Sequence, residues 1–558
     1  MSLFKSNRII IALSLVLIGF KLWLVTAHYL MATTTPHDDL LFVSQAHDIL
    51  GGNWLGNYNQ LTLIKGPFYP LFIALSYYLN IPLLLSQQLL YLSACVLTVL
   101  AISPLIKQKW LLFLFFALLL LNPFSYNYPA VGRVLRLGIY MSLGLATFSC
   151  FLGLVVRRKN SWYISLVWAL GAGLFLAAFW HTREESIWLL PSLLLLLIPA
   201  ITYLFRLPRS RMLYMASIYA LPFVMLFWAH HLLTAINHDH YDVAATIELE
   251  TPEFKSAYGG LLRIESEHWR QYFPVVHDVR QQAYYASPTF NELRPYLDGE
   301  IGEKWKNLCG CDDIPAAFFI WAFRDSVAAA GYYTGGPDAL AFYRRMGEEI
   351  DQACAEGELE CRPRVTSLIP AWHREFNALL LPTFYSVLQK SIGFTDFSAS
   401  TDGMISQGRE GIMFMFEVVT REKLLPSHRD TLENYPEYYR HLDTEKIRIL
   451  NDIGAAYQIF TTPLFLGSLI IFMLILGRSI VKKELSLITV ASGAALGGVL
   501  SIAFILSLLS ITSYSEIERA MHSTYPMVLL FIAMVILDTV DWLTVRRKTS
   551  IYSDVSEP

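Results

Sequence analysis

Apolar residues run through this chain in long stretches divided by short polar ones, a pattern that predicts membrane-crossing helices. A helix rises 1.5 Å per residue, so about 20 apolar residues cover a hydrocarbon core about 30 Å thick. Residues 110–121 and 187–205 contain no charge at all. The pattern places spans at 9–28, 84–105, 110–122, 139–156, 162–180, 187–205, 213–234, 459–477, 486–511 and 523–543. The third is short as drawn and is expected to continue past Pro123. The first run, interrupted only by Lys21, is long for the core of a secretory signal and lacks a small-residue cleavage site after it. It reads as a retained span.

Basic residues beside span ends mark the cytoplasmic face. They occur at Lys5/Arg8, Lys107/Lys109, Arg157/Arg158/Lys159, Arg206/Arg209/Arg211, Arg478/Lys482/Lys483 and Arg546/Arg547/Lys548, and all fall on one side of this topology. Residues 67–81 (PFYPLFIALSYYLNI) are apolar, too short to span and opened by two prolines. Counting them as a span would put Lys107 and Lys109 outside, so they read as an interfacial helix on the outer surface. The outer side then holds 29–66 with that helix, 123–138, 181–186, 235–458 and 512–522.

The expected architecture is an all-α polytopic membrane protein of about ten transmembrane helices (range about ten to twelve) with an interfacial helix and a mainly helical extracytoplasmic domain. Its parts are a membrane module over 1–235 that carries the first outer loop (29–83), the outer domain over 236–457, C-terminal helices over 458–545, and a cytoplasmic tail over 546–558 whose end is expected to be disordered. Compact loops and short tails fit a bacterial inner (plasma) membrane, with both termini cytoplasmic and the large domain periplasmic or extracellular.

Composition sharpens this picture. Only 16% of the 558 residues are charged and the mean hydropathy is +0.42, whereas soluble chains carry about a quarter charged residues. The basic residues form small scattered groups rather than a patch, which excludes a nucleic-acid partner. Cys95 and Cys150 lie in spans, while Cys309, Cys311, Cys354 and Cys361 all lie in the outer domain. Four cysteines on an oxidising side predict two disulfides, with three pairings open. The C-x-C and C-x6-C spacings match structural zinc sites poorly.

Four outer loops bring ionisable groups to one depth. The first carries His37, Asp38 and Asp39, then Lys65 before a Gly-Pro-Phe-Tyr-Pro turn that includes Tyr69; the second carries Arg133 and Arg136. The third is His181, Thr182, Arg183, Glu184 and Glu185, and the last has Glu516, Glu518, Arg519 and His522. Taken singly, each has a bland reading: a solvated loop carboxylate, an arginine at lipid headgroups, a Glu–Arg pair. Together, beside apolar spans where unpaired charge is costly, they suit sugar transfer from a lipid phosphate. Such transfer requires a carboxylate base for the acceptor hydroxyl, cations for the departing phosphate, and an apolar groove for the lipid.

At these residues the sequence resembles the GT-C superfamily of membrane glycosyltransferases, most nearly the branch of protein O-mannosyltransferases and the lipid A aminoarabinose transferase. The likeness lies in HDDLLFVSQAHDILGG (37–52), LIKGPFYPLFIAL (63–75), LNPFSYNYPAVGRVLRLGIYMSLGL (121–145), HTREESIWLLPSLLLLL (181–197) and ERAMHSTYPMVLLF (518–531). It departs in reading K-G-P where the family has K-P-P, and in an outer domain inserted between the seventh and eighth spans. The resemblance implies a GT-C-like bundle and an inverting transferase that uses a polyprenyl-phosphate sugar donor; in a bacterial membrane the expected lipid is undecaprenyl or decaprenyl phosphate. The acceptor stays open among a cell-envelope glycan, a lipid and a protein. Asp38 would be the base, and Asp39 would orient it, bind the acceptor or hold a metal. Lys65 would meet the donor phosphate, with Arg183 and Arg519 as further candidates and Arg136 and Arg133 behind them; His37, Glu184 and Tyr69 would be secondary groups on the acceptor side. A divalent Mg or Mn ion is a family option, with Asp38 and Asp39 as its ligands. NHDHYD (237–242) reads as a polar linker before it reads as a metal site. Trp269, Trp305, Trp321 and Trp372 are candidate sugar platforms in a domain expected to position the acceptor, although core packing is their plainer role. Two other classes compete: a secondary transporter or flippase, against which stands the lack of a repeat, and a non-catalytic membrane scaffold.

Overall fold

The computed structural model describes residues 2–364, 368–401, 404–425, 437–513 and 520–553. Among these, regular structure is helical and no sheet forms. Nine of the described helices are long and apolar enough to cross a membrane: Arg8–Val25, Leu83–Ile102, Leu137–Val156, Trp162–Trp180, Ser186–Leu204, Arg209–Tyr241, His441–Lys482, Leu487–Thr512 and Met521–Val540. The chain is an integral membrane protein. Leu137–Val156 is the hub, with 94% of its span window buried, whereas Arg8–Val25 has 11% buried and presents most of its surface to lipid. A helix apolar on every side suits the hub, because neither face meets water. Lys21, the one charge in the first span, turns inward: it donates to Ser125 Oγ at 2.9 Å and lies 4.5 Å from the Tyr91 ring centre.

The stretch expected to span over 110–122 is a 12-residue helix, Lys109–Leu120, about 18 Å long. It does not continue past Pro123 as expected. Pro123–Tyr126 forms a 3-10 turn in which the Asn122 side chain accepts the Phe124 N–H at 3.2 Å; Pro123 has no N–H to extend the preceding helix. Phe68–Tyr78 is an 11-residue helix, half the length of a span, as the interfacial reading requires. Two spanning helices overrun their expected ends. Arg209–Tyr241 has 33 residues and Glu437–Lys482 has 46, the latter about 70 Å long. Residues 437–458 therefore continue the eighth span; their charges made them read as domain. Within the tail, residues up to Ser553 continue the last helix, Tyr525–Ser553, while 554–558 lie outside the described residues.

Two large hydrophobic cores and three small ones form among the described residues. The larger unites the spans with Phe42, Tyr69, Val387, Phe394 and Phe416, so the helix Phe376–Gly393 of the insertion packs on the C-terminal spans, and Glu410–Thr420 packs on the short helices Asp39–Leu50 and Phe68–Tyr78. The second core lies within 254–359, around Phe254, Phe290, Phe319, Phe323, Phe342 and Ile350. Cys309 pairs with Cys311 and Cys354 with Cys361. The second disulfide ties the end of helix Gly336–Glu356 to the segment that bridges Ile264.

The insertion is locked to the first loop by a buried ion pair. Arg324 and Glu248 have side chains 1% and 0% exposed. Glu248 also accepts the hydroxyls of Tyr58 and, at 2.6 Å, Tyr333. Arg324 donates twice to the Gln60 carbonyl, through Nε at 3.0 Å and through Nη2.

Candidate active site

The first loop leaves the membrane as extended chain. Leu30 exchanges backbone hydrogen bonds with Lys423 and Leu425, Met31 N donates to Gly132 O at 2.8 Å, and Gln407 N donates to Ala32 O at 2.9 Å. The chain then turns into helix Asp39–Leu50 with Asp38 at its N-cap position. Asp39, in the first turn, is fully buried and receives Arg133 through both Nε (3.2 Å) and Nη2, with the Val134 N–H at 3.1 Å. Carboxylates at a helix N-terminus are favoured by its dipole, and this one also fixes the second loop. Burial still prevails over Arg133 and holds the Asp39 carboxyl above its ordinary range.

Asp38 differs. Its side chain is about a third exposed and is ion-paired with Lys65, which is nearly buried and also donates to the His37 carbonyl. Burial pushes the Asp38 carboxyl up, but Lys65, Arg136 and Arg133 outweigh it and hold the acid below its ordinary range. Burial brings Lys65 down to about 8, with Asp38 opposing and Arg136 assisting. Two cations approach the Phe42 ring, with Lys65 Nζ at 5.2 Å and the Arg136 guanidinium at 5.9 Å from its centre.

The third loop closes the cluster. Arg136 donates to Thr182 O at 2.9 Å and to Glu184 Oε1 at 2.7 Å, while Arg183 pairs with Glu185 and lies 5.5 Å from the Tyr140 ring centre. Burial would raise the Glu184 carboxyl; Arg136 and Arg183 hold it down instead. The two loops meet at Gly66, where an added Cβ would stand 2.2 Å from the His181 carbonyl oxygen. That contact gives the glycine a physical reason, because a Cβ here would collide with the His181 backbone and force the two loops apart.

Above Asp38 opens a cleft of about 670 Å³, within the range of small-molecule sites. Thr33–Asp38 and Arg133 form one wall, and Lys304, Trp305, Phe318 and Trp321 of the insertion form the other. His37 packs edge-on against Trp305 and Trp321, with centroids 5.0 and 4.6 Å away. Its Nε2 is 3.8 Å from Asp325 Oδ1, and Asp325 accepts the Trp305 indole N–H at 3.1 Å.

Asp38, Asp39, Lys65, Arg133, Arg136, Arg183, Glu184 and His37 thus converge. Tyr69 does not reach the cleft: it is fully buried, packs on Phe42 and accepts from Gln87 Nε2 at 3.2 Å. Arg519, Glu516 and Glu518 lie outside the described residues. Trp269 stacks on His373, and Trp372 donates to Asn377, both away from this cleft. His238, Asp239 and His240 are exposed on the last turn of Arg209–Tyr241. Asp325, Gln60, Phe42, Glu248 and Arg324 were not foreseen from sequence.

Asp38 and Asp39 fit a divalent metal poorly. Each is already neutralised by a cationic side chain, and among the described residues no group of three or more His, Cys, Asp or Glu converges as ligands.

No family model and no curated protein matches the chain. Two solved structures are similar to it over 96% and 95% of its length: crystal structures of ArnT from Cupriavidus metallidurans, in the apo state and bound to undecaprenyl phosphate. Each alignment covers 78% of the ArnT chain at 13% identity and a TM-score of 0.30. A likeness this remote assigns no chemistry to the present chain, whose own residues must carry it.

Proposed function

We propose that this protein is an inverting glycosyltransferase that moves a sugar from a polyprenyl-phosphate donor to an acceptor at the outer face of its membrane. The observation that carries this reading is the Asp38–Lys65 pair: a carboxylate open to a ligand-sized cleft, backed by a buried lysine and flanked by arginines. A membrane anchor for a partner would not need to bury these charges beside one another.

In the resting arrangement Lys65 neutralises Asp38. A donor phosphate draws Lys65 and Arg136 toward its oxygens, and Arg183 adds charge from the third loop. Losing its counterion makes Asp38 a stronger base, so phosphate arrival itself readies the carboxylate. Asp38 then takes the acceptor hydroxyl proton as that oxygen bonds to the anomeric carbon. The bond from that carbon to the phosphate oxygen breaks on the opposite face, and polyprenyl phosphate leaves with its charge stabilised by the cations.

Thermal unfolding of nanodisc-embedded protein with a panel of polyprenyl-phosphate sugars tests this reading. A donor at a hundredfold excess over Kd should stabilise the fold by about 2.7 kcal/mol. Lys65→Ala should weaken that response. If no polyprenyl phosphate or donor stabilises wild type, and Lys65→Ala matches wild type in cells, the transferase reading fails.

The pH profile supplies a second prediction. Lys65 is charged below about pH 8 and neutral above it, so a reaction needing its charge is retained below that pH and lost above. Asp38 stays ionised through neutral pH because its carboxyl is held low. The rate should therefore be flat from mildly acidic pH to about 7, be halved at about pH 8 and fall tenfold per unit well above it. Lys65→Arg, whose guanidinium keeps its proton, should move the alkaline limb upward by more than one pH unit. An unmoved limb would assign it to another group.

A further inference from the structure

We propose that the cleft between the first loop and the inserted domain is the acceptor site, and that it takes a water-borne carbohydrate whose ring lies against Trp321. The acceptor role rests on the transferase reading; the carbohydrate chemistry rests on the cleft itself.

The direction of entry comes from what lines the cleft. Every lining residue belongs to a loop or to the insertion, and none belongs to a membrane-crossing helix. Its rim is exposed at Thr34, Pro36, Lys304 and Gln407. A lipid acceptor would need an apolar path from the bilayer into the cleft. This one is walled by loops and the insertion alone, while Arg136 and Arg183 pair with the third loop and Lys65 stands between, ion-paired with Asp38 and 5.5 Å from the Trp321 ring centre. The two substrates can thus approach Asp38 from different directions, as an attack opposite the leaving group requires.

The chemistry of the walls selects the occupant. Trp321 and Phe318 are only partly buried and offer aromatic surface, while Thr33, Thr34, Thr35 and Gln407 offer hydroxyl and amide groups. A sugar ring has the matching character, with apolar C–H faces and hydroxyl edges, and binding pockets pair apolar surface with a few placed polar groups. His37 lines the cleft with its Nε2 turned to Asp325 Oδ1, 3.8 Å away, so the insertion's carboxylate holds this wall in place. The adjacent Asp38 would meet a sugar hydroxyl at the inner end of the cleft. An extended peptide held by strand addition would need a sheet edge. No sheet exists among the described residues.

Fluorescence polarisation of end-labelled chitotetraose, maltotetraose and oligogalacturonate tetramer against nanodisc-embedded protein tests the proposal. At least one should bind wild type. Trp321→Ala should weaken that binding tenfold or more, and Thr34→Trp, which fills the exposed mouth, should do the same even if the first variant folds poorly. Thr34→Trp should keep the wild-type thermal response to undecaprenyl phosphate; Trp321→Ala carries no such requirement, because the Trp321 ring centre lies 5.5 Å from Lys65 Nζ. The proposal is overturned if no tetrasaccharide binds, if binding survives both substitutions, or if a Ser/Thr-rich peptide binds in their place. Undecaprenyl phosphate binding without tetrasaccharide binding removes the cleft assignment and leaves the transferase. The reverse result removes the transferase, and the acceptor role with it, and leaves a carbohydrate site.

Discussion

Asp38→Asn should cut sugar transfer by about 10²–10⁴-fold, the usual contribution of a positioned general base, while donor binding persists. Asparagine nearly matches aspartate in shape and can still accept a hydrogen bond from Lys65, so the helix start and the cleft floor should stay in place. What disappears is the ability to take a proton. The substitution has one side effect, since Lys65 loses the counterion that raises its pKa against burial and becomes easier to neutralise. Assays should therefore run at about pH 6.5, where a lysine titrating near or somewhat below 8 keeps its charge. Binding of donor by the variant, followed by thermal shift, separates loss of the base from loss of the phosphate site. A variant that binds donor and turns over at more than a tenth of the wild-type rate would remove Asp38 from the base role.

The local parts of this site were legible in the sequence because each sits at the edge of an apolar run. Asp38, Lys65, Arg136 and Arg183 stand out as charges next to residues that cannot tolerate them unpaired. Their convergence also followed, because sidedness puts their loops at one end of the bundle. The partners were not legible. Asp39 and Arg133 form a closed bidentate unit, a distinction from Asp38 that adjacent aspartates do not announce. Asp325 meets His37, and Arg324 meets Gln60, across more than 250 residues, as tertiary contacts without local spacing. The helix ends failed where composition and conformation part: residues 437–458 are charged and still helical, and the run after Leu120 is apolar and still turns. Gly66 reads as a mild departure from a proline until the His181 carbonyl is seen against it.

Arg324→Met should destabilise the protein by about 3–5 kcal/mol, the cost of stranding one member of a buried ion pair. Glu248 would keep Tyr58 and Tyr333 as donors but would lose its only ion-pair partner among the described residues, inside a fully buried site. The damage should extend to the active site. The Arg324 guanidinium holds the Gln60 carbonyl with two N–H groups, and five residues later the same loop presents Lys65. Freed there, the loop should exchange amide hydrogens faster over residues 57–64, and the donor response should fall with it. Arg324→Met combined with Glu248→Gln should recover a large part of the stability, because the amide leaves no unpaired charge and can accept one tyrosine hydroxyl while its NH2 donates to the other. Recovery of stability without recovery of the loop's protection would show that the guanidinium acts on the first loop directly, and that the inserted domain sets the position of Lys65. Wild-type unfolding and wild-type exchange in the single variant would refute that coupling.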